Sequence, residues 1–260
     1  MLLILVACGS IIFVIPFAWM VSTSVKSTDQ VYLFPPVWIP DQLHWGNYGD
    51  AWGRLPFLNF YKNTLIIVSF NQIGTLLSSS IVAYGFARLR FRGRDILFLL
   101  VLSTMMLPGQ ITLIPTYFLF SKLGWVNSLK PLIIPVYFGS AFNIFLLRQY
   151  FMTISPELDD AAKIDGCGFF EIYWRIILPL AKPALGVVAI FQFTYDWNDF
   201  FNPLIYVNSP KSFPIALGLR MLQGTLVRVP VQQVMAMTLI SIIPVLVVFI
   251  VAQRRFIQGI

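Results

Sequence analysis

Four stretches of this chain contain no charged residue: 1–25, 63–87, 96–121 and 229–253. Each holds enough apolar residues for one membrane-spanning helix, since about 20 residues cover the ~30 Å hydrocarbon core. Within that core every backbone N–H and C=O must be paired inside the protein, so only helices and closed barrels can span it. A shorter apolar run, 131–147, lengthens through Gln149 and Tyr150 into a further span, and 183–206 supplies another although it crosses Asp196 and Asp199. The expectation is an all-α integral membrane protein of six helices, 2–22, 63–87, 96–121, 131–150, 183–206 and 229–253, in a single domain over 1–260. Composition agrees: 58% of the 260 residues are hydrophobic and 11% are charged, against roughly a quarter charged in soluble domains. The spans leave only short loops, which excludes a large soluble catalytic domain.

Orientation follows from Lys and Arg, which concentrate in cytoplasmic loops. Arg88, Arg90, Arg92 and Arg94 crowd one short loop. Placing it inside puts 10 Lys/Arg in the 50 residues of 88–95, 148–182 and 254–260, against 8 in the 71 residues of 23–62, 122–130 and 207–228. Both termini are then cytoplasmic, and the net charge of +7 reflects topology rather than a nucleic-acid partner. Cys8 and Cys167 fall in different regions and imply no disulfide framework or metal-thiolate motif. Leu5-Val6-Ala7-Cys8 matches a bacterial lipoprotein cleavage site. No basic residue precedes it, and the apolar run before it falls short of the ~7–15 residues of a signal-peptide core, so 2–21 reads as an uncleaved span. The lack of a basic N-terminal tail suggests a truncated or misassigned start. His44, the single histidine, is isolated outside and is assigned no metal or catalytic role.

The long inside segment 148–182 holds five of the chain's 11 acidic residues. Ser155 suits a helix N-cap, Pro156 the first helical position, and Glu157 and Asp159 complement the helix dipole. Leu158, Ala161, Ala162 and Asp165 fall at i, i+3, i+4 and i+7, giving a mostly apolar face of small residues, with Asp159 and Lys163 as an i,i+4 pair elsewhere. Gly166 ends this helix. A second helical stretch, 168–177, carries Phe169, Phe170, Tyr173, Trp174 and Ile177 and is expected to end at Leu178-Pro179. An apolar face in such a loop fits either a helix lying on the bilayer or one docked in a protein groove; small alanines and acidic flanks suit the groove, and a surface helix favours Lys/Arg with large apolar residues.

The run Pro156-Glu157-Leu158-Asp159-Asp160-Ala161-Ala162-Lys163-Ile164-Asp165-Gly166, followed by Leu178-Pro179, resembles the EAA loop of ABC importer permeases, here spanning 155–182. It departs from the family pattern at Asp160, where Glu is preferred, and at Cys167, where Ala is usual. Met106-Leu107-Pro108, Ile114-Pro115, Leu123-Gly124-Trp125, Trp197-Asn198-Asp199, Gly218-Leu219 and the closing 253–259 extend the resemblance over the whole chain, to carbohydrate-type permeases related to the smaller membrane subunit of the maltose system. It implies a type I importer core with a cytoplasmic EAA coupling helix, in a bacterial or archaeal cytoplasmic membrane. It also implies a second permease subunit, two ATPase subunits holding ATP and Mg, and an extracytoplasmic solute-binding protein. No cofactor is expected on this chain, which lacks a Gly-x-x-x-x-Gly-Lys-Ser/Thr phosphate loop. Leu158, Asp160, Ala161, Ala162, Asp165, Gly166, Leu178 and Pro179 are the expected ATPase-coupling residues. The outer residues 218–229 resemble the family's loop that reaches towards the binding protein.

Gln192, Asp196 and Asp199, at i, i+4 and i+7, together with Asn198, are candidates for the translocation pathway. Ionisable residues at membrane depth face a cavity or the bundle interior; a late-entering or tilted helix would instead leave both carboxylates at the wet outer interface. The aromatic residues of 23–62 suit an interfacial belt or a contact with the binding protein. A sugar or oligosaccharide is the solute the resemblance implies, with glycerol phosphates and polyols as rivals. An ion-coupled secondary transporter would also use buried acids but would leave the acidic loop without a purpose. A membrane-embedded enzyme needs convergent nucleophile or metal groups, and the sequence has none.

Overall fold

The computed structural model describes residues 2–224 and 229–258, with side chains from 9 to 253 apart from 225–228. The side chain of Cys8, part of the 218–229 loop and the side chains of 254–260 therefore lie outside the described residues. Among the described residues all regular structure is helical. The chosen labels are α1 (Leu2–Ser24), α2 (Gly46–Arg54), α3 (Phe57–Arg88), α4 (Arg94–Ser103), α5 (Gly109–Lys122), α6 (Ala141–Thr153), α7 (Pro156–Ile164), α8 (Phe169–Leu180), α9 (Lys182–Asn198), α10 (Phe201–Tyr206), α11 (Ile215–Leu222) and α12 (Val231–Gln258).

Three stretches are long and apolar enough to cross a membrane: Phe57–Arg88, Lys130–Thr153 and Val231–Gln253. Two more arise if each sharply bent helix pair is one span, and Gly9–Ser24 is a shorter apolar helix. The expected third span is such a pair, bent by 95° between 94–106 and 109–122. Leu107 takes extended backbone (φ −81°, ψ 116°), as a residue before proline is driven to do; Pro115, by contrast, sits within α5. The fourth is broken into a one-turn helix, Lys130–Ile133, a 3₁₀ segment, Ile134–Phe138, and α6.

Two expectations about helix ends need correction. Pro179 does not end the second loop helix. Helix α8 continues through it to Leu180, because a π-helical turn over Tyr173–Ile177 precedes it, and the widened turn relieves the clash of the proline ring with the preceding carbonyls. The chain turns after Leu180, where α8 and α9 meet at 77°. The expected fifth span also stops early: α9 ends at Asn198, and α10 starts after a break. Pro203 explains the break, since its ring opposes a helical carbonyl at Asp199.

The chain divides into two units, Met1–Lys62 with Phe213–Val247, and Asn63–Ser212 with Val248–Ile260. In the first, Phe57, Phe60, Ile215, Leu222 and Met237 are buried. Gly218 lies so close to the Phe60 ring that it leaves no room for a Cβ. Asn47 Nδ2 donates to the carbonyls of Ser24 and Lys26 at 2.9 Å each, and Arg54 Nε donates to Gln233 Oε1 at 2.7 Å. Lys26, 0% exposed, holds its ammonium 3.8 Å from the Trp19 ring centroid.

The second unit has a continuous apolar core. Ala83, Tyr84 and Phe86 of α3, Phe98 of α4, Ile144, Leu147 and Phe151 of α6, Ala162 of α7, Ile172, Tyr173 and Ile177 of α8, and Ala184 and Val188 of α9 all belong to it. Both helices of the acidic loop are thus packed against this unit's spans. Outside the core, many large apolar side chains face outward, as a chain solvated by lipid requires.

Candidate functional site

The α7–α8 hairpin is assembled by local chemistry. Ser155 Oγ accepts the Glu157 N–H at 3.3 Å, and Pro156 occupies the first turn. At the other end Gly166 N–H donates to Lys163 O at 3.0 Å and Cys167 N–H to Ala162 O at 2.9 Å. This pair of bonds is a Schellman motif, which places Gly166 at the position that needs left-handed backbone; its φ is +85°. Among the described residues, its chain neighbours apart, nothing lies within 4 Å of where a Gly166 Cβ would sit, so the glycine is required here by conformation and has open space beside it.

Leu158, Asp160, Ala161, Asp165 and Gly166 are exposed, and so are Ile164 and Pro179. Ala162 is buried and Leu178 packs against the core, so of the expected coupling residues these two face the spans. The expected Asp159–Lys163 pair does not form. Lys163 Nζ binds Asp160 Oδ1 at 2.9 Å, a hydrogen bond that holds the Asp160 carboxyl below its ordinary pKa. Asp159, 7% exposed, turns inward to Arg88, with Nε 3.6 Å from Oδ2. Arg88 also donates from Nη2 to Ile154 O at 2.7 Å.

Arg88 is one of three polar residues at i, i+4 and i+8 on the last turns of α3. Tyr84 donates to Phe169 O at 2.9 Å, and the Ser80 and Tyr173 hydroxyls lie 2.8 Å apart. A polar rail on α3 therefore grips both helices of the hairpin. Sequence reasoning read Arg88 for topology alone and passed over Ser80 and Tyr84; their spacing within an apolar span was the available signal.

The second site lies between α3 and α9. Asp196, 6% exposed, accepts from Asn71 Nδ2 at 2.9 Å on Oδ1 and from Gln192 Nε2 at 3.0 Å on both oxygens. Asn71 also donates to Leu132 O at 3.1 Å. Gln192 and Asp196 are thus brought together as their spacing required, with Asn71 as the partner missed. Asp199 and Asn198 are not part of this cluster. Asp199 lies beyond the end of α9, where Oδ1 accepts the Asn202 N–H at 3.2 Å and so caps α10, while Asn198 is exposed and donates to Thr194 O at 2.8 Å. Beside Gln192 a cavity of about 420 Å³ is lined by Thr75, Val136, Gly139, Ser140, Phe142, Asn143, Phe191, Gln192 and Tyr195. Among the described residues no group of three or more His, Cys, Asp or Glu side chains could hold a metal ion.

Apolar spans, a hairpin packed on a polar rail and a polar cluster within the span region define a helical membrane protein. The binding-protein-dependent transport system inner membrane component family matches residues 75–260, and the chain belongs to it. The arabinooligosaccharides transport system permease protein AraQ of Bacillus subtilis is 34% identical over 85% of this chain and 78% of its own length. The sn-glycerol-3-phosphate transport system permease protein UgpE of Yersinia pestis is 30% identical over 98% of this chain and 93% of its own. Among solved structures, a bacterial ABC transporter involved in the import of the acidic polysaccharide alginate aligns with a TM-score of 0.86 and 26% identity, over 97% of this chain and 94% of that one. The chain is therefore a permease component of an ABC importer, a multi-pass cytoplasmic-membrane protein that is not itself an enzyme.

Proposed function

We propose that this chain forms part of the translocation pathway of a sugar or oligosaccharide importer, paired with a second permease subunit. The hairpin 155–182 couples it to two ATPase subunits, which carry the ATP and Mg, and an extracytoplasmic binding protein delivers the solute. The hairpin and both termini face the cytoplasm. The observation that carries this reading is the division of labour on α7. Its outer side offers Leu158, Asp160, Ala161, Asp165 and Gly166, while Asp159 and Ala162 hold its inner side against α3 and the core. A rigid helix anchored in this way transmits a push from a docked partner to the spans, which is what switching between inward-open and outward-open states requires. AraQ and UgpE, by their names, serve arabinooligosaccharides and glycerol 3-phosphate, and the whole-chain similarity brings such small polar solutes into consideration here.

Mild-detergent purification through a tag on this chain tests the assembly. An ATPase and a second, different permease should co-elute. A chain that elutes alone and still performs ion-driven uptake after reconstitution would overturn the reading.

A further inference from the structure

We infer that the cavity between α3, the 136–140 segment, α6 and α9 is a solute subsite built for an uncharged, hydroxyl-rich unit such as a sugar ring, and that it rejects phosphorylated and carboxylated solutes. The inference rests on the importer reading above and narrows its substrate class.

The lining carries the argument. Thr75, Ser140, Asn143 and Gln192 offer hydroxyl and amide groups, each both donor and acceptor. Phe142, Phe191 and Tyr195 add aromatic walls, and all three are exposed. Among the described residues no lysine, arginine or histidine lines the space. Its volume, about 420 Å³, falls within the ~300–1,000 Å³ usual for small-molecule sites.

Thr75 is the most telling residue. It is 1% exposed and its Oγ1 has no hydrogen-bond partner. On the turns before and after it, Asn71 Oδ1 and Ser79 Oγ are also without one. A buried hydroxyl left unpaired is costly, and of these three residues only Thr75 belongs to the cavity lining, so it alone is placed to take a partner from an occupant that presses against that wall.

The walls are held in place. Gln72 Nε2 donates to Ala189 O at 2.7 Å, Ser78 Oγ to Val136 O at 3.2 Å and Tyr137 Oη to Phe70 O at 3.0 Å. The site therefore does not depend on an occupant to form.

Charge selection comes from Asp196. Its oxygens accept amide N–H groups from Asn71 and Gln192, bonds that favour the ionised carboxylate. It sits directly behind Gln192, whose amide forms part of the lining. A phosphate or carboxylate entering the cavity would meet this like charge at low dielectric, and among the described lining residues there is no cation to offset it. A hydroxyl-rich neutral ring meets matched hydrogen bonds and aromatic faces instead.

The test uses the complete importer, purified through this chain and reconstituted in proteoliposomes with its binding protein. Competitive ATP-driven uptake is measured with neutral probes, arabinotriose, maltotriose and diacetylchitobiose, against glycerol 3-phosphate and trigalacturonate. Uptake of at least one neutral probe is expected, with the two anions neither transported nor competing. In the isosteric Thr75→Val and in Asn143→Leu the KM for that probe should rise about 5- to 10-fold, the size of one lost hydrogen bond, with subunit co-elution as the check on folding. Preferred uptake of either anion, or an unchanged KM in both variants, overturns the subsite while leaving the importer reading standing. Absence of ATP-driven uptake for every probe defeats the importer reading, and the subsite with it.

Discussion

At the scale of single residues, Gly166 and Lys26 carry separable consequences. Gly166 holds φ +85° with open space around it. Within this chain, alanine and leucine there face the same backbone penalty, about 1 kcal/mol, and the Cβ that both add meets open space. A larger loss in Gly166→Leu than in Gly166→Ala then points to a tight groove on another subunit. Gly166→Ala should retain most ATP-driven uptake and Gly166→Leu should lose coupling between ATP hydrolysis and uptake; equal behaviour of the two would remove the case for a tight groove at this position. Lys26 gives a pH signature. Burial lowers its ammonium from the ordinary 10.5. Between the lowered value and 10.5 the unfolded chain holds a proton that the folded chain has released, so stability rises with pH across that window. Thermal unfolding in detergent should show this rise as the pH approaches 10.5, and Lys26→Met should flatten it.

At the scale of elements, the Arg88–Asp159 pair fixes α7 to α3. Both side chains are largely buried, at 6% and 11% exposure. Removing one partner strands the other charge, at a cost of about 3–5 kcal/mol, whereas replacing both with apolar groups can be nearly neutral. Arg88→Met should therefore lower thermal stability and expose the hairpin to trypsin, and Arg88→Met with Asp159→Leu should recover more than half of the loss; a double variant no better than the single would mean that the pair does not hold the hairpin. This contact also shows where sequence reading reached its limit. The Ser155 cap, the Pro156 start and the Gly166 stop depend on neighbours a few residues away, and all three were legible. Helical spacing pairs Asp159 with the cation nearer in sequence, Lys163; burial favours the distant Arg88 because α7 lies against α3, a tertiary fact that helical spacing does not contain. Proline shows the same limit. Pro108 breaks its helix because the residue before a proline is driven to extended backbone, as Leu107 is, while Pro179 is absorbed by the π turn before it.

At the scale of the whole molecule, the apolar runs located the spans but not their breaks, since hydropathy counts residues and does not see a 95° bend. The bends matter for topology. If the pair 94–106 and 109–122 is one broken span, the chain reaches the far side at Lys122; if it is re-entrant, the chain returns to the side it left, and every later loop changes sides. The clustered arginines at 88–94 bind the choice, because a re-entrant pair would put the hairpin opposite that basic loop and separate Asp159 from Arg88 by a bilayer, against their contact at 3.6 Å. One broken span is the consistent solution. In a background with Cys8→Ala and Cys167→Ala, a membrane-impermeant maleimide should label Trp45→Cys and Lys122→Cys in intact cells, and Phe91→Cys and Ala161→Cys only after permeabilisation. All four positions are exposed on this chain. Labelling of Lys122→Cys and Phe91→Cys from the same side would make the bent pair re-entrant, and labelling of Ala161→Cys in intact cells would place the hairpin where no cytoplasmic ATPase could reach it.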